Sequence, residues 1–211
     1  MATSKCKICR RAGTKLFLKG EKCLSSKCSL VRKPYPPGQK SKKRGGPRGG
    51  SEYGKELREK QKLQNWYNLR EKQFRKYVKM ALGSRHKVED AEALLIKFLE
   101  SRLDNVIFRL GFTASRVAAR RFVSHRHFLV NGKILNIPSY SVKKGDKISL
   151  SQKSIKKSAF KNLAVTLKKY SPPSWLKLEA EKFEGQVIKE PTLDEALPPA
   201  ELSLIFEFYS R

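Results

Sequence analysis

Residues 102–151 read RLDNVIFRLGFTASRVAARRFVSHRHFLVNGKILNIPSYSVKKGDKISLS, and this stretch decides the fold because its apolar spacing changes midway. In the first half, apolar residues recur three and four positions apart, as along one face of a helix: Leu103, Val106, Ile107 and Leu110. Gly111 is expected to end this helix. A second helix is predicted to run to about Ser124, with Thr113 or Ser115 as its N-cap.

The second half of the stretch has the pattern of strands. Asn131-Gly132 lies between Phe128–Val130 and Ile134–Ile137, and this dipeptide favours a two-residue hairpin turn. A last strand is expected from Lys147 to Leu150. The stretch therefore predicts two helices packed on a small antiparallel sheet, and the fold class of the chain is α+β.

Basic and amide side chains are predicted to form rows on the outward faces of the two helices. Arg102, Asn105 and Arg109 are three and four positions apart on the first helix, as are Arg116 and Arg120 on the second. Such rows are usually solvated faces. In a chain with a formal net charge of +28, we interpret them as facing phosphates.

The composition favours a polyanionic partner, because 47 Lys and Arg stand against 19 Asp and Glu. Nucleic acid is the first candidate and an anionic membrane a distant second. No apolar run approaches the length of a membrane span, and Met1–Cys6 lacks the apolar core of a signal peptide. We therefore expect a cytoplasmic protein with reduced cysteines, no membrane and no small-molecule substrate.

Four cysteines near the N-terminus are spaced as metal ligands: Cys6, Cys9, Cys23 and Cys28. They form C-x2-C and C-x4-C pairs, which suit the tetrahedral coordination of structural Zn²⁺ and leave no open position for catalysis. A 4Fe-4S cluster takes the same ligands, and four unconnected buried cysteines are the remaining alternative. Residues 15–21 are predicted to form a hairpin strand and turn that brings the pairs together.

The rest of the chain divides by composition. Residues 31–50 hold seven Lys or Arg and no acid among many Pro and Gly, which is typical of a basic linker. It is either a disordered loop or an arm that orders against RNA phosphates, and we favour the arm because seven unneutralised charges repel one another without a polyanion. Helices are predicted in residues 52–85 and 90–100. Trp66, Tyr67 and Tyr77 are interpreted as core, with stacking on bases as the alternative. Residues 151–169 are predicted to be one helix, 175–178 and 185–188 two strands, and 203–209 an apolar segment docked on the N-terminal helices.

The central motifs R-L-D-N, R-L-G-F, S-R-x-x-A-R, V-S-H and V-N-G-K resemble the RNA-binding module named after small-subunit ribosomal protein S-four. Many members of that family carry a glycine between the two histidines, whereas this chain has Arg126 between His125 and His127. If the position requires a positive φ, the arginine is strained there, and a tighter phosphate contact could compensate.

The resemblance extends over the whole chain, and further motifs are similar to the bacterial-type S-four family in its zinc-bearing branch: P-Y-P-P-G-Q at 34–39, Y-G-K-E-L-R-E-K-Q-K-L at 53–63, E-K-Q-F-R at 71–75, E-S-R-L-D-N at 100–105 and E-F-Y-S-R at 207–211. It implies direct binding to small-subunit rRNA at a multi-helix junction, nucleation of the subunit body and a part in decoding accuracy. It also implies contact with ribosomal protein S-five and other small-subunit proteins. The segment 40–48 matches a loop near the messenger RNA entry channel.

From this resemblance three segments are predicted: residues 1–45, a zinc knuckle and basic linker; 46–93, a helical domain completed by 198–211; and 94–197, the inserted RNA-binding domain. The predicted RNA contacts are Arg44, Arg48, Arg58, Lys62, Arg70, Arg75, Arg102, Asn105, Arg109, Arg116, Arg120, Arg121, His125, Asn131 and Lys133.

Two other function classes are disfavoured by the residues outside the central stretch. An RNA-modifying enzyme or tRNA synthetase with the same module would need a catalytic domain, and no phosphate-cradling loop or nucleophile–base pair is present. A zinc-dependent DNA-binding regulator would need a recognition helix after Cys28, and none is predicted.

Overall fold

The computed structural model describes residues 4–38, 51–83 and 88–211, and the predicted contacts Arg44 and Arg48 lie outside these ranges. The described helices are α1 (Lys5–Ala12), α2 (Glu21–Leu24), α3 (Ser29–Arg32), α4 (Glu52–Trp66), α5 (Glu71–Gly83), α6 (Val88–Glu100), α7 (Leu103–Arg109), α8 (Arg116–Ser124), α9 (Gln152–Ile155), α10 (Leu163–Lys168), α11 (Leu193–Ala196) and α12 (Leu202–Ser210). The strands are β1 (Phe128–Val130), β2 (Lys133–Ile134), β3 (Lys147–Leu150), β4 (Leu176–Glu179) and β5 (Glu184–Val187).

Contacts divide the chain into two units, residues 1–88 with 198–211 and residues 89–197. The division into three segments made from the sequence stays a prediction. Among the described residues no helix is both long enough and apolar enough to cross a bilayer.

The first unit is helical, and its C-terminal helix α12 packs on α4 and α5. Ile205 and Phe206 are buried in that contact region. Two hydrogen bonds also tie this end of the chain to α4 and α5. The Tyr209 hydroxyl donates to Glu71 Oε1 at 2.7 Å, and Arg211 Nη2 donates to Glu56 Oε1 at 2.8 Å. The terminal apolar segment therefore completes the core of this unit.

The strand predicted in residues 15–21 is wrong. Phe17 and Gly20 take positive φ values of 51° and 62°, which an extended strand does not allow, and α2 begins at Glu21. Leu16 and Leu18 are buried on either side of Phe17 and anchor the segment as an irregular loop. The segment turns instead of extending, and the Gly20 amide donates to the Phe17 carbonyl at 3.4 Å.

The second unit has the helix pair and antiparallel sheet expected from the central stretch. Ser115 caps α8, since its Oγ accepts a hydrogen bond from the Ala118 amide at 3.3 Å. Asn131 and Gly132 take φ values of 50° and 77°, as a type I′ hairpin turn requires, and Val130 pairs with Lys133. These predictions of helix pair, hairpin and mixed α+β architecture are confirmed, but the second hairpin strand is not Ile134–Ile137, because β2 ends at Ile134.

The sheet is larger than the stretch alone predicted. Its five strands are all antiparallel in the order β2-β1-β3-β5-β4, because the C-terminal hairpin β4–β5 adds to the free side of β3. Gly185 of β5 lies so close to α7 that a Cβ atom there would be 2.6 Å from Leu110 Cδ1. The apolar stripe of α7 thus packs directly on the sheet.

Residues 151–169 do not form the single helix that was predicted. They form α9, a 3-10 turn at Ser158–Phe160 and α10. Ser154 and Phe160 are both buried although a spacing of six would place them about 120° apart around a single helix, whereas Phe160 and Leu167 could share one face. The interruption lets Phe160 pack among aromatic side chains of the second unit, 5.0 Å from the Phe122 ring.

Candidate nucleic-acid interface

A buried carboxylate, Glu100, holds the helix pair of the second unit together. It is fully buried at the end of α6 and accepts hydrogen bonds from Arg109 Nε and Nη2, both at 2.9 Å. Asn105 Nδ2 donates to Glu100 Oε2 at 2.7 Å, and Asn105 Oδ1 accepts from Arg116 Nε at 2.7 Å. Because α7 and α8 both bond to this group or its neighbour, their relative positions are fixed by hydrogen bonds with charged partners.

A second buried pair lies at the start of α7. Arg102 Nε and Nη2 donate to Asp104 Oδ1 and Oδ2 at 3.0 and 2.7 Å, a bidentate geometry. Only 1% of Arg102 is exposed to solvent. Its guanidinium is therefore satisfied inside the protein.

The prediction that Arg102, Asn105, Arg109 and Arg116 face outward is wrong. Three of them are buried, and Arg109 is mostly buried and also donates to the Ala196 carbonyl at 2.9 Å. Arg116 further stacks over the Phe108 ring at 4.6 Å. The acidic residues nearby in sequence, Glu100 and Asp104, were the signal that these arginines have partners within the chain.

The remaining predicted residues of this unit do face solvent. Arg121, His125, Asn131 and Lys133 are exposed, and Arg120 is partly exposed and interacts electrostatically with Asp104. The Asn131 amide is used within the turn, since its Nδ2 donates to Asp146 Oδ1 at 2.9 Å. The end of α8 and the β1–β2 hairpin thus carry the accessible cations among the predicted contacts.

His127 packs inside the second unit, whereas His125 is exposed. The Nδ1 atom of His127 lies 2.8 Å from Ser154 Oγ, and the His127 ring contacts Phe122 and Phe160 edge-on. Burial, with smaller contributions from the charges of Lys157 and His125, lowers the pKa of His127. The ring is therefore a neutral packing group at neutral pH.

The first unit presents two basic clefts. Arg75 lines an open cleft of about 500 Å³ on α5, whose other lining residues are Lys72, Lys76, Lys79 and Met80. Arg58 and Lys62 line a cleft of about 120 Å³ between α1 and α4, together with Arg11. Arg70 is exposed just before α5. These surfaces expose guanidinium and ammonium groups without an apolar pocket for a small ligand.

The four cysteines line one small cavity of about 20 Å³, so the fold brings the two pairs together. The Lys19 amide donates to Cys23 Sγ at 3.4 Å. A hydrogen bond with Ser29, opposed by burial and helped by Lys19 and Lys22, lowers the pKa of Cys6, while burial raises that of Cys9. Among the described residues, however, no group of three or more Cys, His, Asp or Glu side chains is disposed so that it could hold a metal ion.

Comparisons with known proteins assign the family. The family model "Ribosomal protein S4/S9 N-terminal domain" matches residues 1–100, and the "S4 domain" model matches residues 101–148. The small ribosomal subunit protein uS4 of Halothermothrix orenii is 46% identical over 207 residues, which cover 98% of this chain and 96% of that protein. This chain belongs to the uS4 family. The uS4 protein of Caldicellulosiruptor bescii is 47% identical over 207 residues, which cover 98% of this chain and 96% of that protein. The uS4A protein of Bdellovibrio bacteriovorus is 45% identical over 208 residues, which cover 99% of this chain and 97% of that protein.

Membership in the uS4 family confirms the family that the sequence motifs indicated. It makes the chain a ribosomal protein and not an enzyme, so the RNA-modifying alternatives are excluded. The uS4 assignment also agrees with the basic clefts on α5 and between α1 and α4.

Several exposed cations next to the predicted RNA contacts were not predicted from the sequence. Arg126 is exposed directly after His125, and exposed lysines at 153, 156, 157 and 161 follow β3. The signal was available, because residues 147–169 contain no acid. These lysines were assigned to a helix rather than to a surface next to α8.

Proposed function

We propose that this uS4 family member binds small-subunit rRNA directly, at a junction of several RNA helices, as a structural component of the small ribosomal subunit in the bacterial cytoplasm. Family membership supports the ribosomal role, and the surface chemistry supports the RNA partner. The observation that carries the proposal is the separation of cations into two sets. Buried arginines fix α7 and α8, and exposed cations are left for phosphates.

Recognition proceeds by shape rather than by reading base edges. Structured RNA displays phosphates and 2′-hydroxyls at fixed distances, and its deep major groove is closed to side chains. Helix α8 cannot rock against α7 without breaking the Glu100 and Asn105 bonds, so the cations on its exposed side are held in place before RNA arrives. A preorganised surface loses less side-chain and helix freedom on binding.

Two surfaces take part in this proposal. The second unit offers Arg120, Arg121, His125 and Lys133, and the first unit offers Arg58, Lys62, Arg70 and Arg75. The charge of Lys62 is partly neutralised by Glu59, because Lys62 Nζ lies 2.5 Å from Glu59 Oε1. We therefore expect its contribution to be smaller than that of Arg75.

A salt series tests the proposal. The purified chain is bound to small-subunit rRNA and to duplex DNA of equal length. If about ten phosphates are neutralised, log affinity should fall with log salt at a slope of roughly −7 to −9. Tight rRNA binding that survives salt levels at which DNA dissociates supports junction recognition. Equal affinities that vanish together would refute it.

Matched variants locate the surfaces. Arg75→Ala and Lys133→Ala should each make the slope shallower by about 0.9, because each removes one phosphate contact. Lys189→Ala removes an exposed charge after β5 and serves as the control, with no expected change. A control that weakens binding as much as the other two would show that only total charge matters.

We propose that Cys6, Cys9, Cys23 and Cys28 hold structural Zn²⁺. Four thiols around one cavity have the donor chemistry that zinc prefers, and rotation about χ1 moves a sulfur without moving the backbone. Bound zinc would link α1 to α2 and to the start of α3, and would stabilise a segment with a small core. The four ligands leave no position for substrate.

Metal analysis decides between the two metal alternatives. Purification without added metal, followed by elemental analysis, should give one zinc per chain, and a strong chelator should reduce the helical signal of the first unit. Iron with acid-labile sulfide in equal amounts would support the cluster instead. Cys9→Ser and Cys28→Ser variants that retain metal would refute the four-thiol site.

We also propose that the chain nucleates assembly of the subunit body, contacts ribosomal protein S-five and contributes to decoding accuracy. The acidic part of the chain supports a protein contact, because eight acids and three bases lie in residues 178–211. Arg44 and Arg48 are proposed as contacts near the messenger RNA entry channel. Misreading reporters in cells carrying Arg44→Ala with Arg48→Ala test that part, and unchanged fidelity would remove it.

A further inference from the structure

Helix α8 ends in a hydrogen-bonded cap that requires a left-handed residue. The His127 amide donates to the Phe122 carbonyl at 3.1 Å, and the Arg126 amide donates to the Val123 carbonyl at 2.8 Å. This pair of bonds is the Schellman motif, in which the residue after the C-cap takes a positive φ. The accompanying contact is present, since the Phe122 and His127 rings lie 5.6 Å apart. The backbone at residue 126 is thus set by the cap.

An arginine occupies the position where glycine is the relaxed choice. Arg126 has φ of 60°, a region in which a side chain with a Cβ atom is strained. Its side chain is exposed, and within the described part of the chain its guanidinium has no hydrogen-bond or ion-pair partner. No intramolecular contact therefore offsets the strain.

The two segments that meet at the end of α8, beside Arg126, carry bases and no acid. The Ser151 amide donates to the His127 carbonyl at 2.9 Å, and Ser154 Oγ lies 2.8 Å from His127 Nδ1, which brings the lysine-rich segment after β3 against the end of α8. Lys157 is close enough for its charge to lower the pKa of His127. Residues 116–128 and 147–169 contain no acid. Like charges are thus collected here without a neutralising group from either segment.

We propose that Arg126 is an RNA contact and that, with Arg121, His125 and Lys157, it forms a phosphate-binding patch, the α8-end patch. Its ligand is the sugar–phosphate backbone of RNA, because a guanidinium binds two phosphate oxygens side by side and the three Arg and Lys side chains of the patch are cationic donors without an acceptor atom. The proposal rests on the rRNA binding proposed above and adds a site to it. The strain at residue 126 is offset when RNA is bound.

A different role for Arg126 would be to stabilise α8 alone. A cation near a helix C-terminus interacts favourably with the helix dipole. In that case replacing Arg126 by glycine would lower the thermal midpoint of the protein. The phosphate role makes the opposite prediction, since glycine relieves the strain at the cap and loses only an intermolecular contact.

Three variants of the full chain test the patch, with small-subunit rRNA as the probe. Arg126→Gly should raise the thermal midpoint, weaken rRNA binding about five-fold at 0.15 M salt and make the salt slope shallower by about 0.9, the effect of one lost counterion release. Arg126→Ala should weaken binding equally without raising the midpoint. Arg126→Lys should keep the slope, and the Lys189→Ala control should behave as wild type.

Failure of the α8-end patch and failure of the proposed rRNA binding would give different results. If Arg126→Gly binds rRNA with the wild-type slope, or if its midpoint falls, the α8-end patch is overturned while rRNA binding stands. If the wild-type chain binds duplex DNA as tightly as rRNA at every salt concentration, the proposed function itself fails.

Discussion

Replacing Glu100 by glutamine should destabilise the second unit by about 4 kcal/mol. The carboxylate is fully buried and accepts two hydrogen bonds at 2.9 Å from Arg109 and one at 2.7 Å from Asn105. Glutamine keeps one acceptor oxygen but replaces the other with an amide NH2 group, which would face the N–H donors of Arg109 or Asn105. A hydrogen bond to a charged group contributes about 1.5–3 kcal/mol, and removing one partner of a buried ion pair costs about 3–5 kcal/mol. The estimate from the lost hydrogen bonds and the estimate from the broken ion pair give a similar free-energy cost.

Tryptophan fluorescence can follow the second unit alone. The two tryptophans are Trp66 in the first unit and Trp175, buried in the second. In a Trp66→Phe background, urea unfolding followed through Trp175 should show the full loss. The thermal midpoint should fall by about 8–16 °C, because each kcal/mol shifts it by roughly 2–4 °C in a chain of this size.

A surface ion pair of the same unit supplies the control. Glu190 Oε2 lies 2.7 Å from Lys97 Nζ, but both side chains are well exposed, so Glu190→Gln should cost less than about 1 kcal/mol. The double variant Glu100→Gln with Arg109→Gln should lose less than the sum of the single variants, since it also removes the unpaired charge. A Glu100→Gln protein within about 0.5 kcal/mol of wild type would refute the buried network.

Three further predictions concern the second unit. Gly185→Ala should cost about 1–3 kcal/mol in urea unfolding because its Cβ would meet Leu110 at 2.6 Å; adding Leu110→Ala should restore part of the loss, and an unaffected Gly185→Ala would contradict this packing. Ser115→Ala should cost about 1 kcal/mol through the lost cap of α8, whereas Ser115→Thr should keep most of it; equal losses would exclude capping. Since the pKa of His127 is lowered from 6.5, the unfolded chain binds its proton first, so stability should fall as pH drops below about 6.5. His127→Gln should show a shallower fall between about pH 7 and 5, and an unchanged pH profile would argue against a buried neutral ring.

Local patterns predicted the parts of the fold that local interactions determine. The stripe Leu103, Val106, Ile107 and Leu110 placed α7, and Asn131-Gly132 placed the hairpin, because each signal lies within a few residues. The addition of β4–β5 to β3 depends on pairing between residues about 37 apart, such as Ile148 with Gly185. No pattern within either segment specifies that pairing.

The candidate site was harder to predict because charge alone does not tell which way a side chain points. Helical spacing correctly grouped Asn105 with Arg109, but it could not show that Glu100 lies between the helices and draws both inward. An arginine near an acid in sequence has two possible partners, the acid and the solvent. Burial decides between them, and burial is a property of the folded unit.

The two outer strands of the sheet, β2 and β4, bear on self-association of the chain. β2 has only two residues, and β4 alternates inward leucines with exposed Lys177 and Glu179. Short or charged edge strands are poor templates for a strand of another molecule. Together with a net charge of +28, which makes copies repel, these edges disfavour strand pairing between copies of the chain.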